Sequence, residues 1–350
     1  MALTMTNPER LWHLLAQGET LTIVCHNNPD PDCLASAVAL GTIAAKAGID
    51  ERHILYSGRI SHQQNRALVN LLDIELEPFD ADAVRDRPDG SLLALVDHSV
   101  PGRNNDVPED TDIDVIIDHH STESVEDTDS RFVDTRDNVG TTATILTQYV
   151  RALPMEPDER IATALLFAIR RATLDFLRGV TSAEYAAAGF LHDYVESDLL
   201  RELSTPAVSG ATVDTIADAI EHRTVHGSVL ISPVGRTRER DALPQAADYL
   251  VTLEGVQTTI VFGLIGTTIH ISARSTDPRI NVGDVLERAF EDVGSAGGHR
   301  ELAGGAIPLG IFAEYSTDDT VLLGVIDTVT TRRLLDALNI KDGDDAASTA

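Results

Sequence analysis

The sequence predicts an α/β protein: an N-terminal parallel sheet with helices on both faces, a helical connector, and a smaller C-terminal α+β domain. Three observations carry this. Up to about residue 195, short apolar runs alternate with longer helical stretches. After about residue 221 the pattern changes to closely spaced, alternating, β-branched runs. A chain of 350 residues with 43% hydrophobic residues can fill two separate cores.

In order, residues 21–25 (LTIVC) form a short apolar run, read as a buried strand. Residues 33–47 are small, apolar and helical. Residues 53–57 (HILYS) read as a second strand and 62–72 as a helix. Residues 91–97 (SLLALVD) and 113–118 (IDVIID) are buried strands that each end in Asp, and 131–134 is a short strand. Three helical stretches follow, VGTTATILTQYVRAL, DERIATALLFAIRRA and SAEYAAAGFLHDYV. These set the first domain at 1–195 and the connector at 196–221. In the second domain, 222–340, VHGSVLISPVG, TTIVFGLI and TTIHISAR read as strands. Residues 243–253 and 282–290 read as helices, a Gly-rich loop follows, and AIPLGIF is a last strand. The polar tail 341–350 is expected to be disordered.

Lys and Arg number 27 and Asp and Glu 56, giving a net charge of −29. Only Lys46 and Lys341 are lysines. An acidic, Lys-poor surface stays hydrated where salt screens its self-repulsion, which points to a salt-rich cytosol as in halophiles. Binding of basic partners is the competing reading. Long duplex nucleic acid needs a basic face that is not visible here. Apolar stretches fall far below the roughly 20 residues of a membrane span, and the first residues do not read as a secretory signal. A cytoplasmic protein is expected. Cys25 and Cys33 make no disulfide framework and read as buried free thiols.

His26 directly follows the first strand in the segment HNNPDPD, so His26, Asp30 and Asp32 sit at i, i+4 and i+6 of a strand-to-helix loop stiffened by two prolines. Asp97 ends one later strand and Asp118 another, with His119 and His120 beside it. Ligands of open α/β sheets gather at such carboxyl ends. Singly, each Asp reads as a cap or turn residue and each His as an ordinary one. Together, several carboxylates at one edge resist ionising unless cations neutralise them. Mixed His and carboxylate donors suit Mn²⁺, Fe²⁺, Zn²⁺ or Mg²⁺ more than Ca²⁺. A carboxylate shared by two ions builds the two-metal sites of phosphate-ester cleavage.

HNNPDPDCLASA resembles the first motif of the DHH phosphoesterases, VDHS stands where their second Asp motif belongs, and DHHST is similar to the motif that names them. VGTTATILTQY resembles their Gly-Ala-Thr-rich helix start. The resemblance implies that His26 and Asp30 hold one Mn²⁺ (Mg²⁺ or Co²⁺ as substitutes). Asp32 and His119 would hold a second, and Asp97 would bridge them. Asp118 would orient the histidines, and His120 would face the substrate phosphate as donor or general acid. One position departs. Ala172 stands where the family supplies another Asp, and Asp175, three residues on, would substitute or is a surface or capping Asp. Arg170 and Arg171 are candidates for phosphate contact. The segment SHQQN resembles archaeal members, with His62 and Asn65 lining the site or merely capping a helix.

Gly297-Gly298-His299, with Arg274 upstream, offers bare N–H groups and a two-pronged phosphate grip, although Gly-rich stretches are often only tight turns. The pattern resembles the GGH loop and Arg of the DHH-associated substrate-binding domain. Arg274, Gly297, Gly298 and His299 would then bind the nucleotide end, with Arg300 assisting or solvated, and the connector would let the domains close. The resemblance implies hydrolysis of short RNA or DNA oligonucleotides or small nucleotides, as in nano-RNases and bisphosphate phosphatases, with a possible homodimer. The alternatives are a RecJ-like single-strand exonuclease, a cyclic-dinucleotide phosphodiesterase, and a non-enzymatic nucleotide sensor or partner subunit.

Overall fold

The computed structural model describes residues 5–60, 62–120, 129–314 and 319–340, in two compact units, Met1–Ala207 and Val208–Ala350. The tail expected at 341–350 lies outside the described residues. The first unit runs α1 (Asn7–Leu15), β1 (Thr20–Val24), α2 (Pro31–Ala47), β2 (Glu51–Tyr56), α3 (Gln63–Leu71), β3 (Glu77–Pro78), α4 (Ala81–Arg85), β4 (Ser91–Val96), β5 (Val115–Asp118), β6 (Phe132–Thr135), α5 (Thr142–Ala152), α6 (Glu159–Ala172), α7 (Ser182–His192) and α8 (Ser197–Ser204).

Its strands lie in the order β3-β2-β1-β4-β5-β6, and every neighbouring pair is parallel. The chain builds outward from β1 in one direction, then returns to place β4 on the other side of β1. The carboxyl ends of β1 and β4 therefore flank the topological switch point, where loops diverge and leave a crevice.

Alternation along the strands feeds two cores. Leu92, Ala94 and Val96 of β4 join the larger core with α2, α5 and α6, while Leu93 and Leu95 join a smaller one with Val84 of α4 and with Val107 and Ile113 from the loop before β5. Both faces are covered, unequally. Helix α2 is rich in Ala on its buried side, which lets α5 and α6 approach it closely. Asp30 caps it, accepting from the N–H groups of Asp32 and Cys33, and Gly48 closes it in the left-handed conformation.

The second unit runs α9 (Gly210–Glu221), β7 (Thr224–His226), β8 (Val229–Arg236), α10 (Ala242–Leu250), β9 (Thr258–Ile265), β10 (Thr268–Ser275), α11 (Val282–Phe290), β11 (Ser295–Gly298), β12 (Leu302–Pro308) and α12 (Asp319–Ala337). The sheet order is β11-β12-β10-β9-β8-β7, with β8 and β9 parallel across the α10 crossover and the other pairs antiparallel. Helices α9 and α10 pack on one face, α11 and α12 on the other.

Several elements differ from the sequence reading. The Gly-rich loop is a β-hairpin, β11 pairing antiparallel with β12, and Gly298 is needed because a Cβ there would stand 2.6 Å from Leu302 O. The last strand stops at Pro308 and turns into a short 3-10 helix, Gly310–Glu314. Helix α12 was not anticipated; its β-branched run and Gly324 are poor helix formers, overridden by burial of Ile326, Leu334 and Leu335. The segment read as connector holds α8, in the first unit, and α9, in the second.

One clamp sets the approach to α5. Glu184 of α7 is buried and accepts hydrogen bonds from Gly140 N at 2.8 Å, Thr181 N at 2.7 Å and Thr181 Oγ1 at 2.7 Å. Gly140 is obligatory, since a Cβ there would stand 2.1 Å from Gly179 O. Burial alone would raise the Glu184 carboxyl, but the N–H of Gly140 and the Thr181 donors outweigh it and hold the group below its ordinary 4.5. Its contribution is therefore full above that pH and is lost as pH falls through the lower folded value. Glu184→Gln is expected to cost about 1–3 kcal/mol in urea unfolding at neutral pH and to flatten the loss of stability on acidification.

Candidate metal centre

Three strand ends at the carboxyl edge of the first sheet converge. Residue 26 follows β1, Asp97 follows β4, Asp118 is the last residue of β5, and His119 and His120 follow it. Asp97 adopts a left-handed backbone (φ 64°), which Asp tolerates better than most residues and which turns the chain sharply off the strand. Its N–H is held by Ile117 O at 2.9 Å.

The two oxygens of Asp97 face different histidines. Oδ2 lies 3.6 Å from His26 Nε2, and Oδ1 lies 3.6 Å from His119 Nε2. Asp30 Oδ1 is 3.8 Å from the same nitrogen of His26, and Asp32 Oδ2 is 3.7 Å from that of His119. The donors thus divide into two groups, His26–Asp30–Asp97 and Asp32–Asp97–His119, joined by one carboxylate. These separations are too long for hydrogen bonds. Two donors each about 2.1 Å from a shared cation stand roughly 3.0–3.6 Å apart, so the spacing fits cations.

The electrostatics agree. Asp32, Asp97 and Asp118 are 3%, 4% and 1% exposed. Burial alone would lower the His26 imidazole, but the carboxylates of Asp30 and Asp97 outweigh it and raise it to about 11. Burial, then the charges of Asp97 and Asp30, push Asp32 well above the usual carboxylate range. The cluster therefore demands positive charge, and without a cation it takes up protons.

Surrounding groups aim the donors. Both oxygens of Asp32 accept from the start of α5, from Thr142 N at 3.0 Å and Ala143 N at 2.8 Å, where the helix end favours an anion. Thr142 Oγ1 donates to Asp97 Oδ1 at 2.8 Å. His120 Nδ1 is 2.7 Å from Asp118 Oδ1, which also accepts from His120 N, so Nε2 is the nitrogen left for a ligand. The Asp118 carboxylate raises His120, against burial. His98 packs edge-on to His26 at 6.3 Å, its Nδ1 on Val96 O and its Nε2 buried with no hydrogen-bond partner among the described residues. Burial, then the neighbouring His26, lower it to about 4.

The remaining sequence candidates lie as follows. Asp175 pairs with Arg170 at 2.7 Å, is 53% exposed, and belongs to neither group of donors. It sits in a left-handed turn with Leu174 and Phe176 (φ 50°, 54° and 66° along the three). Arg171 is half-buried. His62 caps α3 through Gln64 N, and Asn65 Nδ2 donates to Pro29 O at 3.0 Å, bracing the His26–Asp30 loop.

In the second unit, Arg274 pairs with Asp248 of α10 and reaches Ser272 Oγ and Ala273 O. Arg274 is opposite Leu302, and His299 N donates to Leu302 O at 2.7 Å, so Arg274 and the exposed His299 occupy the same end of that sheet. Gly297 and Gly298 have φ of 156° and 148°, and a Cβ on Gly298 would stand 2.6 Å from Leu302 O. Arg300 Nη1 donates to Pro278 O at 2.8 Å. Sequence reasoning gave no role to Thr142, Cys33, His98 or Glu184. For Thr142 a signal existed in the Thr-Thr pair that opens α5; hydrogen bonds 110 residues apart in sequence, such as Thr142 to Asp32, leave none.

Comparison with known proteins agrees with this geometry. The DHH family N-terminal domain matches residues 20–169 and the DHHA1 domain residues 226–316. An uncharacterized protein of Methanocaldococcus jannaschii is 38% identical over 327 residues, covering 92% of this chain and 65% of its own length. The chain thus spans just under two thirds of that relative. A probable manganese-dependent inorganic pyrophosphatase of Bacillus mycoides is 28% identical over 251 residues, covering 69% of this chain and 78% of its own. An exopolyphosphatase-related protein of Bacteroides fragilis shares the fold, with a TM-score of 0.69 at 13% identity, over 97% of this chain and all of that one.

Mn²⁺ is expected to raise the thermal unfolding midpoint of the wild type, with about 2.7 kcal/mol at a hundredfold excess over its dissociation constant. The shift should be smaller at pH 6 than at pH 8, because the ion must displace the proton that His26 otherwise keeps. Scanning calorimetry with and without chelator checks both, and Asp97→Asn should lose most of the shift.

Proposed function

The chain belongs to the DHH family and carries a DHHA1 domain in its second half, and on that premise we propose that it is a metal-dependent phosphoesterase acting on short oligonucleotides or small nucleotides. The observation that carries this is the Asp97 carboxylate, with one oxygen toward His26 and the other toward His119. The residues fit two divalent ions, Mn²⁺ first by donor chemistry and by the manganese-dependent relative, with Mg²⁺ or Co²⁺ as substitutes. Bound there, the ions supply a water ionised near neutral pH and neutralise phosphate charge.

The protein side of the reaction follows from the placements. His26 and Asp30 would hold one ion and Asp32 and His119 a second, with Asp97 available to both. Ala172 stands where a further carboxylate would add to the second group, so that group would hold its ion with only the three donors Asp32, Asp97 and His119. Asp118 fixes His120 by its Nδ1, so Nε2 presents a proton to the substrate phosphate or leaving oxygen. Arg274 and the hairpin turn at His299 bind the nucleotide end, which raises affinity more than rate.

A net charge of −29 disfavours long polyanions, which need basic grooves. That is why small substrates are preferred here to a RecJ-like exonuclease role. The test is hydrolysis in molar salt with Mn²⁺ of a dinucleotide, a 24-mer single strand, adenosine 3′,5′-bisphosphate and cyclic di-AMP, each with a chelator control. Chelator-sensitive cleavage of the dinucleotide or bisphosphate is the expected result, and binding without cleavage under every metal would make this chain a nucleotide sensor instead. Asp97→Ala should cut kcat by at least about 10³-fold, and near-normal turnover would sink the shared-carboxylate reading. His299→Ala should raise KM about tenfold with kcat little changed, as separated by initial-rate kinetics.

A further inference from the structure

The donor set around His26 contains a sulfur that the two ions above do not use. Cys33 Sγ and one ligating atom each of His26 and Asp97 all lie within 4.8 Å of one another. Cys33 is fully buried in the first turn of α2, and its thiol donates to Val96 O at 3.4 Å. Val96 is the residue before Asp97, so the sulfur sits beside the strand end that carries Asp97. Asp30, which completes the His26–Asp97 pair in the reading above, stands at the rim with its side chain 54% exposed. The same pair can therefore be completed by a hard oxygen or by a soft sulfur.

Donor softness separates the ions that use each side. Mn²⁺ and Mg²⁺ favour carboxylate and imidazole, whereas Zn²⁺ and Cd²⁺ bind thiolate strongly. An ion held by one Cys, one His and one carboxylate has the tetrahedral N/O/S shell common for Zn²⁺, with a fourth position open. Donors in such a shell lie about 3.3–3.8 Å apart, so the three atoms must close by at most about 1.5 Å. Shared among the side chains of His26, Asp97 and Cys33, that closure keeps each rotation within its rotamer well.

We propose that Cys33 makes the His26–Asp97 pair a thiophilic cation site, in which Zn²⁺ or Cd²⁺ binds His26, Asp97 and the Cys33 sulfur and excludes Mn²⁺ from the first position. On binding, the metal–sulfur bond replaces the S–H bond and the proton leaves to solvent. The proposal rests on the reading of His26 and Asp97 as ligands. It gives the position a built-in sensitivity to thiophilic ions that Asp30 alone would not confer.

The test uses the full chain and Cd²⁺, whose thiolate complexes have a charge-transfer absorption in the near ultraviolet. Wild type should develop that band with one equivalent of Cd²⁺ and release one bound Mn²⁺, seen as free-ion signal by electron paramagnetic resonance. Cys33→Ser, which keeps a donor for Val96 O, should lose the band and at least about tenfold in Cd²⁺ affinity. Cys25→Ser and Asp30→Asn should keep the band, and Asp30→Asn should weaken Mn²⁺ instead. Absence of the band in wild type, or its persistence in Cys33→Ser, overturns the proposal. Mn²⁺ binding without a Cd²⁺ band defeats this inference alone, whereas failure to bind either ion defeats the two-ion reading with it.

Discussion

The first unit is arranged around one buried carboxylate. Asp97 leaves β4 in a left-handed conformation, is held by the backbone of β5, accepts a hydroxyl from α5, and faces a histidine with each oxygen. Almost every feature of the topology serves that placement. The strand order brings the ends of β1, β4 and β5 side by side. Thr142 and Ala143 then point the start of α5 at Asp32, so helix polarity and side-chain charge converge on the same point. Glu184 in turn fixes the loop that delivers α5. A disturbance at α7 therefore reaches the donors through two hydrogen-bonded steps, which is how a residue that touches none of them contributes to their aim.

Much of this was legible in the sequence, and for a physical reason. Parallel strands buried on both faces read as unbroken apolar runs, so LTIVC, SLLALV and VIID stand out, and the Asp or His that ends each run falls at the sheet edge by construction. His26, Asp30, Asp32, Asp97, Asp118, His119 and His120 could be gathered on that ground before any coordinates. Asp175 shows where the reasoning stops. Position along the chain suggested a substitute ligand, but the turn after α6 curls left-handed and gives its carboxylate to Arg170.

The second unit was harder to read because its signals are weak locally and strong only in context. Glycines at 297 and 298 announce close backbone approach without saying whether a ligand or a strand approaches. Here it is β12, whose carbonyl at Leu302 occupies the space a side chain would need. Helix α12 illustrates the opposite case. Its Val and Thr content argues for a strand, and only the core that receives Ile326, Leu334 and Leu335 decides for a helix. Thr142 and Cys33 belong to the same class, since their importance lies in what they touch across the fold.

The charge balance gives the donor cluster its significance. Surface acids on this chain can be screened by salt within about 3–10 Å, depending on concentration. Asp32, Asp97 and Asp118 cannot, because they are almost wholly buried. Buried carboxylates this close must be answered locally, by protons or by metal ions, and Asp30 and Asp97 raise the His26 imidazole in the direction that favours a proton there. A cation that displaces that proton reverses the sign of the field at the one place where a negatively charged phosphate would have to approach. On a chain of −29, that local reversal is what would let an anion dock at all. The acidic surface and the buried donors thus impose opposite demands on a phosphate ligand, and cations at His26, Asp97 and His119 would be the groups that reconcile them.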